Sequence, residues 1–381
     1  MSVRHFDLER SASGRSSDAA LIASLLLLVG LGFVALYSAS SGFAERFFGD
    51  GNYFIKKQAA FGLIGILLFF IASYMDLELL RRFIQPLVLG TMFLCVLTFI
   101  PGIGMTKNGA ARWIRLGPSS YQPSELVKMV LPLYLAHIFA KKEERLDDVS
   151  SGVIPPALVS LVFCALVYSQ NNFSTAAFIG VNALILFFLA GVRLRHFILV
   201  ALVSLPLGFL LIFTKEHRVR RLLTFFKPEW DPLGAGYQVR ASIETIASGS
   251  FWGKGLGQGT RKLASVPEIH SDFVFSAVSE EAGYLGVCLV FGLFAFFAIR
   301  GYLSALKATD TFKRLLGLAL VTAIVSQALI NVSVVIGAVP ATGIPLPFFS
   351  AGGSSLATTL FAAGLIVNIS RTVPASEVID V

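Results

Sequence analysis

The chain has 381 residues, of which 55% are apolar and only 14% charged, and its formal net charge is +8. Soluble domains carry about 25% charged residues, so this composition excludes an ordinary soluble enzyme. The three cysteines form no paired spacing, which excludes a disulfide framework and a cysteine metal knuckle. Apolar runs near the ~20 residues that cross a bilayer recur along the whole chain and predict one helical membrane bundle.

Ten apolar segments are each long enough to span a bilayer, which predicts an all-α, polytopic integral membrane protein with about ten transmembrane helices. They lie at 19–40, 58–74, 83–101, 124–140, 152–169, 173–191, 196–214, 273–299, 315–337 and 352–370. The first run exceeds the usual h-region of a signal peptide, about 7 to 15 residues, so it is expected to stay attached. The predicted organisation is a tail at 1–18, a membrane domain at 19–370 and a tail at 371–381.

An even number of spans places both tails on the same side of the membrane. The short segments on that side hold nearly half of the lysines and arginines, which predicts by the positive-inside rule that both tails are cytoplasmic. These basic residues are Arg4, Arg10, Arg15, Arg81, Arg82, Lys141, Lys142, Arg145, Arg193, Arg195, Arg300, Lys307, Lys313, Arg314 and Arg371.

Two longer segments face outward, 102–123 and the loop 215–271 between the seventh and eighth spans. The second carries nine basic residues against five acidic ones. A basic surface beside the outer leaflet suits an anionic lipid or a phosphate ligand, and anchoring to lipid headgroups is the alternative. In the first, residues 109–118 indicate a short amphipathic element with Trp113 at headgroup level, and with Arg112 and Arg115 available for phosphate or carboxylate.

The fourth span opens with a charged pair. Pro123 and Ser124 are typical of a helix start, and Glu125 and Lys128 then lie three residues apart on one face. Ionisable residues inside a membrane indicate function, although an ion pair that only neutralises itself is the alternative.

Residues 249–259 of the long loop are rich in glycine, but their spacing matches neither a Walker loop nor GxGxxG. No nucleotide site is therefore predicted. Glycines allow a ligand to approach the backbone closely, and Lys254 offers a point charge to a pyrophosphate. A flexible turn is the alternative.

The loop ends in residues 266–273, which place Asp272 at the outer membrane boundary. If a helix begins there, Ser276, Ser279 and Glu280 share the face of Asp272, and Glu280 lies about 12 Å deeper in hydrocarbon. Such a depth favours a functional role for Glu280. Asp272 also suits a helix N-cap, and the two roles are compatible.

Residues 340–355, between the last two spans, contain too many prolines and glycines to be helical. Non-helical backbone at the edge of a bilayer is tolerated where it is buried in protein or lines a wet cavity. This segment is therefore predicted to form a wall of the site.

Taken in order, these segments resemble the SEDS family of peptidoglycan polymerases, whose members include FtsW, RodA and SpoVE, and the resemblance spans nearly the whole chain. The division-type member FtsW is favoured by residues 236–238 and 253–262. The landmarks are residues 37–40, 109–128, 220–238, 249–259, 267–283 and 343–355.

The resemblance implies an inverting glycosyltransferase that polymerises lipid II at the outer face of the bacterial cytoplasmic membrane and releases undecaprenyl pyrophosphate. The family's essential aspartate falls on Asp272, and residues that matter for activity fall on Glu125 and Lys128. Inversion in one step needs a base for the acceptor hydroxyl and positive charge for the departing diphosphate. The residues expected to bind substrate are Arg112, Arg115, Gln122, Gln238, Arg240, Lys254, His270, Glu280 and Ser354.

A divalent cation, Mg²⁺ or Mn²⁺, is a further expectation, with Asp272 as its ligand and Glu125 and Glu280 completing a cluster of oxygen ligands. The expected partners are a class B penicillin-binding protein and other division proteins at the septum, with no nucleic acid. The chain departs from the family at Asn171 and Asn172, where an acidic pair is common, and at Ala351, where tyrosine is common.

Three other functions compete with division-type polymerisation. A lipid II flippase needs a polar path through the whole bilayer, whereas the intramembrane charges here cluster in its outer third. An elongation polymerase of the RodA type is a second alternative. A scaffold of the division machinery would tolerate the loss of Asp272.

Overall fold

The computed structural model of the protein describes residues 17–107, 109–117, 119–145, 148–227, 234–259 and 269–371. The predicted terminal tails lie outside these ranges except for residues 17, 18 and 371. So do residues 260–268, which include the start of the Asp272 motif.

The described part of the chain is mainly helical. In chain order the helices are α1 Ala19–Phe48, α2 Tyr53–Tyr74, α3 Leu77–Arg82, α4 Ile84–Leu97, α5 Pro123–Lys141, α6 Ile154–Ser169, α7 Phe173–Leu189, α8 Leu194–Phe213, α9 Glu216–Phe226, α10 Ala235–Ser248, α11 Val274–Leu306, α12 Thr311–Val335 and α13 Gly353–Ser370. A 3₁₀ turn at Glu143–Arg145 and a π turn at Val149–Val153 precede α6.

Every apolar segment predicted from the sequence coincides with one of these helices. Among the described residues, six helical stretches are long and apolar enough to cross a membrane: α1, α2, Val149–Ser169 including α6, α11, α12 and α13. Helices α4 and α7 are apolar but shorter. The prediction of a polytopic helical membrane protein is confirmed, whereas the count of ten spans stays a prediction.

The first and last membrane helices meet at one end of the bundle. Asp18 caps α1 by accepting a hydrogen bond from the amide of Leu21, and its own amide donates to Ser370 Oγ at 3.2 Å. Arg300 pairs with the same carboxylate at 2.8 Å. We call this the terminal end. The contact between residues 18 and 370 agrees with an even number of spans.

Helix α1 runs antiparallel to α11. A second polar contact between them, far from the one between Asp18 and Arg300, marks the opposite end of the bundle. Ser38 donates to the carboxylate of Glu281 at 2.7 Å. Between Asp18 and Ser38 the helix rises about 30 Å, which equals the thickness of a hydrocarbon core. We call the end at Glu281 the loop end, because the long connections gather there.

A three-stranded antiparallel sheet covers part of the loop end. It comprises β1 Gly104–Lys107, β2 Ala110–Leu116 and β3 Ser119–Tyr121, in that order across the sheet. The sequence predicts an amphipathic element here, whereas the structure forms strands. Ala110 and Ile114 are buried, so β2 packs one face against the bundle.

Helix α11 is broken at Gly283, whose φ of 63° and ψ of −162° are not helical. At the break, α11 forms backbone hydrogen bonds with residues 249–259, which we call the glycine loop. The amide of Lys254 donates to Glu280 O, and the amide of Tyr284 donates to Ser250 O. A Cβ on Gly253 would come within 2.1 Å of Glu281 O. Gly249, whose added Cβ would lie 2.1 Å from Ser279 O, and Gly253 therefore serve the close packing of two backbones.

Candidate active site

Asp272 lies in the turn that precedes α11, at the loop end of the bundle. Its backbone carbonyl accepts a hydrogen bond from Asn331 Nδ2 at 2.8 Å. Its carboxylate lies against Gly343, where an added Cβ would be 3.3 Å from Oδ2. The N-cap of α11 is Phe273, so the expectation that Asp272 caps this helix is wrong, and Asp272 does not share a continuous helical face with Glu280.

Two arginines from distant parts of the chain lie near this carboxylate. Arg112 comes from β2 and Arg221 from α9, and Asp272 interacts electrostatically with both. Burial lowers the pKa of Arg112 to about 10, the charge of Arg221 lowers it too, and Asp272 opposes both effects. Loss of hydration also lowers the pKa of Arg221, whereas the charge of Asp272 raises it. Both guanidiniums stay protonated near neutral pH and form a cationic surface beside the acid.

Backbone carbonyls fix the direction of both arginines. Arg112 Nη2 donates to Asn171 O at 2.6 Å, and Arg221 Nη1 donates to Ala341 O at 3.3 Å. Asn171 has a φ of 59°, and its side chain donates to Gly109 O at the start of β2. Arg112 Nε is buried without a hydrogen-bond partner among the described residues, and such a donor suits an anionic ligand.

Glu125 and Lys128 form the predicted ion pair, with Lys128 Nζ 2.8 Å from Glu125 Oε2. The pair is more than self-neutralising, because the ammonium also donates to Gln327 Oε1 at 2.8 Å. Gln327 Nε2 in turn donates to Pro345 O at 2.9 Å. A polar connection thus runs from α5 to the segment that faces Asp272.

The prediction of a non-helical segment at 340–355 is wrong for residues 353–355, which begin α13. The segment that is non-helical is 336–352, and it lies against Asp272 at Gly343. We call it the wall loop. Side chains from the surrounding helices satisfy its backbone: Gln58 donates to Ser350 O and accepts from the amide of Gly352, and Asn331 donates to Ile344 O. Non-helical backbone is therefore tolerated here because protein groups replace water.

Lys254 and Glu280, which the sequence assigns to substrate binding, form an ion pair with each other. Lys254 Nζ is 2.6 Å from Glu280 Oε1, and Ser248 Oγ is 3.3 Å from the same oxygen. Glu280 is adjacent to Glu281 and hence lies toward the loop end of the bundle, and its depth in the hydrocarbon stays a prediction. The pair ties the glycine loop to the break in α11.

The other predicted substrate residues fall into two groups. Gln122, Ser354 and His270 are built into the framework: Gln122 donates to Ser124 Oγ, Ser354 Oγ accepts from the amide of Gln122, and His270 packs 4.1 Å from the ring of Phe54. The outer group lies on exposed or half-buried surface, and its members are Arg115, Gln238 and Arg240, of which Arg240 pairs with Glu244 at 3.2 Å.

The predicted cluster of oxygen ligands does not form. Glu125 pairs with Lys128 and Glu280 with Lys254, and the described residues contain no group of three or more His, Cys, Asp or Glu side chains that could hold a metal ion. The side chains of the described residues alone therefore do not fit a metal centre. A cation bound by Asp272 together with a diphosphate is a different arrangement, because Mg²⁺ usually keeps few protein ligands.

The sequence alone assigns no site role to four residues of this site, Arg221, Asn171, Gln327 and Asn331. A signal existed for Gln327 and Asn331, because amides four residues apart on an apolar helix mark a polar face in a membrane bundle. Arg221 was counted among the basic residues of the loop, but nothing in the sequence distinguishes it from Arg220.

The chain is similar to known proteins along nearly its whole length. A family model described as cell cycle protein, and covering FtsW, RodA and SpoVE, matches residues 18–374. The probable peptidoglycan glycosyltransferase FtsW of Geobacter sp. (strain M18) is 38% identical over 353 residues, 93% of this chain and 96% of that protein. Stage V sporulation protein E of Bacillus subtilis is 35% identical, covering 93% of this chain and 97% of that protein.

Solved structures resemble the fold as well. A chain from a study of how a peptidoglycan synthase complex coordinates polymerization and crosslinking aligns with a TM-score of 0.78 and 29% identity, over 93% of this chain and 98% of that chain. The rod shape determining protein RodA of Thermus thermophilus aligns with a TM-score of 0.68 and 27% identity, over 93% and 97%. The chain therefore belongs to the family of cell cycle proteins formed by FtsW, RodA and SpoVE.

Proposed function

We propose that this protein is a peptidoglycan glycosyltransferase that polymerises lipid II at the loop end of the bundle, in cell division. The observation that carries the proposal is a carboxylate, Asp272, which interacts electrostatically with Arg112 and Arg221 and lies against the wall loop. The names of the relatives supply the reaction class.

In the proposed reaction Asp272 is the general base. The 4-hydroxyl of one lipid-linked sugar attacks the anomeric carbon of the growing strand, and its proton passes to the Asp272 carboxylate. The bond from that carbon to the diphosphate oxygen breaks, and undecaprenyl pyrophosphate leaves with the bonding electron pair. One base and one stabilised leaving group suffice for a single inversion.

Arg112 and Arg221 are suited to the charge that develops on the departing diphosphate. Guanidinium groups bind phosphate oxygens through two parallel hydrogen bonds, and each of these arginines is already oriented by a backbone carbonyl. Arg112 keeps the role assigned from the sequence. Arg221 takes the place assigned to Lys254, which is bound to Glu280.

A divalent cation, Mg²⁺ or Mn²⁺, is part of the proposal, and Asp272 would hold it. Bound there, it would neutralise developing charge on the phosphate oxygens. Dependence on the cation is tested by titrating EDTA into the polymerisation reaction and restoring activity with Mn²⁺.

The cellular setting proposed is the bacterial cytoplasmic membrane at the septum, with both tails cytoplasmic and the loop end outside. A class B penicillin-binding protein and other division proteins are the proposed partners. The similarity to a chain of a peptidoglycan synthase complex supports such a partnership. The contact between residues 18 and 370 supports tails on one side.

Purified protein with its penicillin-binding partner, in liposomes with labelled lipid II, separates polymerase from flippase. Glycan ladders on a gel support the proposal. Movement of lipid II between leaflets without any ladder would replace it with transport, and neither activity would favour a scaffold.

A further inference from the structure

Gln327, on α12, connects the ion pair of α5 to the wall loop. Its Oε1 accepts from Lys128 Nζ at 2.8 Å, and its Nε2 donates to Pro345 O at 2.9 Å. Both ends of the amide are therefore in use, and the side chain is buried. The position of Lys128 is fixed relative to the wall loop.

Asn331, one helical turn further along α12, connects the same loop to Asp272. Its Nδ2 donates to Asp272 O at 2.8 Å and to Ile344 O at 2.9 Å, which uses both hydrogens of the amide. Its Oδ1 is buried without a hydrogen-bond partner among the described residues. Asn331 thus acts in this site only as a double donor.

The two amides bind the adjacent carbonyls of Ile344 and Pro345, from positions four residues apart on one helical face. We propose that Gln327 and Asn331 are positioning residues that fix Lys128 and Asp272 relative to each other through the wall loop. The proposal rests on the proposed function. Neither amide is assigned contact with substrate; each acts through the residue that it holds.

Hydrogen bonds from the two amides, rather than packing alone, hold the turn at Asp272 and the wall loop in place. Asp272 precedes α11 and the wall loop has no regular secondary structure, so both segments lie outside the helices that surround them. Without the amide donors both segments are expected to shift while the helices around them stay folded. A shift near 1 Å at reacting groups costs about 100-fold in rate.

The test compares kcat and KM for lipid II in Asn331→Leu, Asn331→Asp and Gln327→Glu. Gln327→Glu keeps an acceptor for Lys128 and replaces the donor to Pro345 O with an oxygen, and it adds a negative charge next to Lys128. Ser326→Ala is the matched control, because Ser326 is also on α12 but bonds to Asn182 on α7. Thermal unfolding in detergent monitors the fold of each variant.

We expect kcat to fall about 100-fold in the Asn331 variants and about tenfold in Gln327→Glu, with KM changed less than about threefold. The double variant is expected to lose less than the product of the single losses, because both amides hold one loop. Ser326→Ala should match the wild type. Normal kcat in folded variants, or a raised KM with kcat unchanged, overturns the proposal.

Two results keep this inference separate from the proposed function. A wild-type protein that makes no glycan contradicts the proposed function itself. An active wild type whose Asn331 and Gln327 variants keep full kcat contradicts only the positioning role. If Asn331→Leu fails to fold, Gln327→Glu decides, because it is isosteric and keeps an acceptor for Lys128.

Discussion

Lys254 Nζ lies 2.6 Å from Glu280 Oε1, and the Glu280 side chain is fully buried. Removing one partner of a buried pair leaves an uncompensated charge, whereas removing both is close to neutral. We expect Lys254→Met to destabilise the protein by on the order of 3 kcal/mol. The double variant Lys254→Met with Glu280→Gln should recover most of that loss in a thermal unfolding assay.

The same pair of variants tests where the diphosphate binds. If Lys254 only ties the glycine loop to α11, the double variant also recovers glycan synthesis. A stable double variant that stays inactive would restore the role in binding diphosphate first assigned to Lys254.

Two glycines with almost the same backbone conformation offer a matched comparison. Gly253 and Gly257 have φ values of 78° and 79°, but a Cβ on Gly253 would lie 2.1 Å from Glu281 O, whereas one on Gly257 meets nothing within 4 Å. Alanine at either site carries a left-handed strain of about 1–2 kcal/mol. We expect Gly253→Ala to lose far more thermal stability than Gly257→Ala. Equal losses would mean that the close approach of the two backbones is unimportant.

Asn171 orients Arg112 through its backbone carbonyl rather than its side chain. Its φ of 59° suits asparagine and glycine and disfavours a β-branched residue. Asn171→Gly should therefore keep most glycan synthesis, whereas Asn171→Val should lower it about tenfold or more, a loss of about 1.4 kcal/mol in transition-state stabilisation. Parallel rates for the two variants, both well folded, would remove this carbonyl from the account of Arg112.

The lowered pKa of Arg112 predicts an alkaline limit to diphosphate binding. With a pKa of about 10, Arg112 stays protonated at neutral pH and loses its charge as the pH rises through that value. Asp272 raises this pKa, so Asp272→Asn should move the loss of binding to lower pH. Calorimetric titration of farnesyl diphosphate into nanodisc-embedded protein, from pH 7 to about 11, measures the midpoint.

The control for this titration is Arg115→Gln, because Arg115 is exposed on the same strand and should leave the midpoint unchanged. An unchanged midpoint in Asp272→Asn would show that the two residues do not interact as the structure places them.

Local rules predicted the parts of this site that depend on short spacing. The pair of Glu125 and Lys128 follows from two charges three residues apart, and the wall loop follows from its prolines and glycines. The break at Gly283 was not predicted, because an apolar run with one glycine is also typical of a continuous helix. The predicted face shared by Asp272 and Glu280 is wrong for another reason, because α11 begins at Val274, after Asp272.

The partners of Asp272 depend on tertiary structure. Arg112 reaches it from a small sheet and Arg221 from an amphipathic helix in the long loop, and no periodicity in the sequence relates the three. Lys254 seemed better suited to diphosphate because glycines surround it, but Gly249 and Gly253 serve packing against α11 and Lys254 pairs with Glu280. Charge alone indicated the loop and left the individual residue undetermined.

The most direct test of the central claim compares the wild type with Asp272→Asn. Both are purified with the penicillin-binding partner and Mg²⁺ or Mn²⁺, given labelled lipid II, and their products are resolved on a gel. We expect glycan ladders from the wild type and none from an Asp272→Asn protein whose thermal unfolding is unchanged. Ladders of equal intensity from both proteins would contradict it, because the reaction would then proceed without the base.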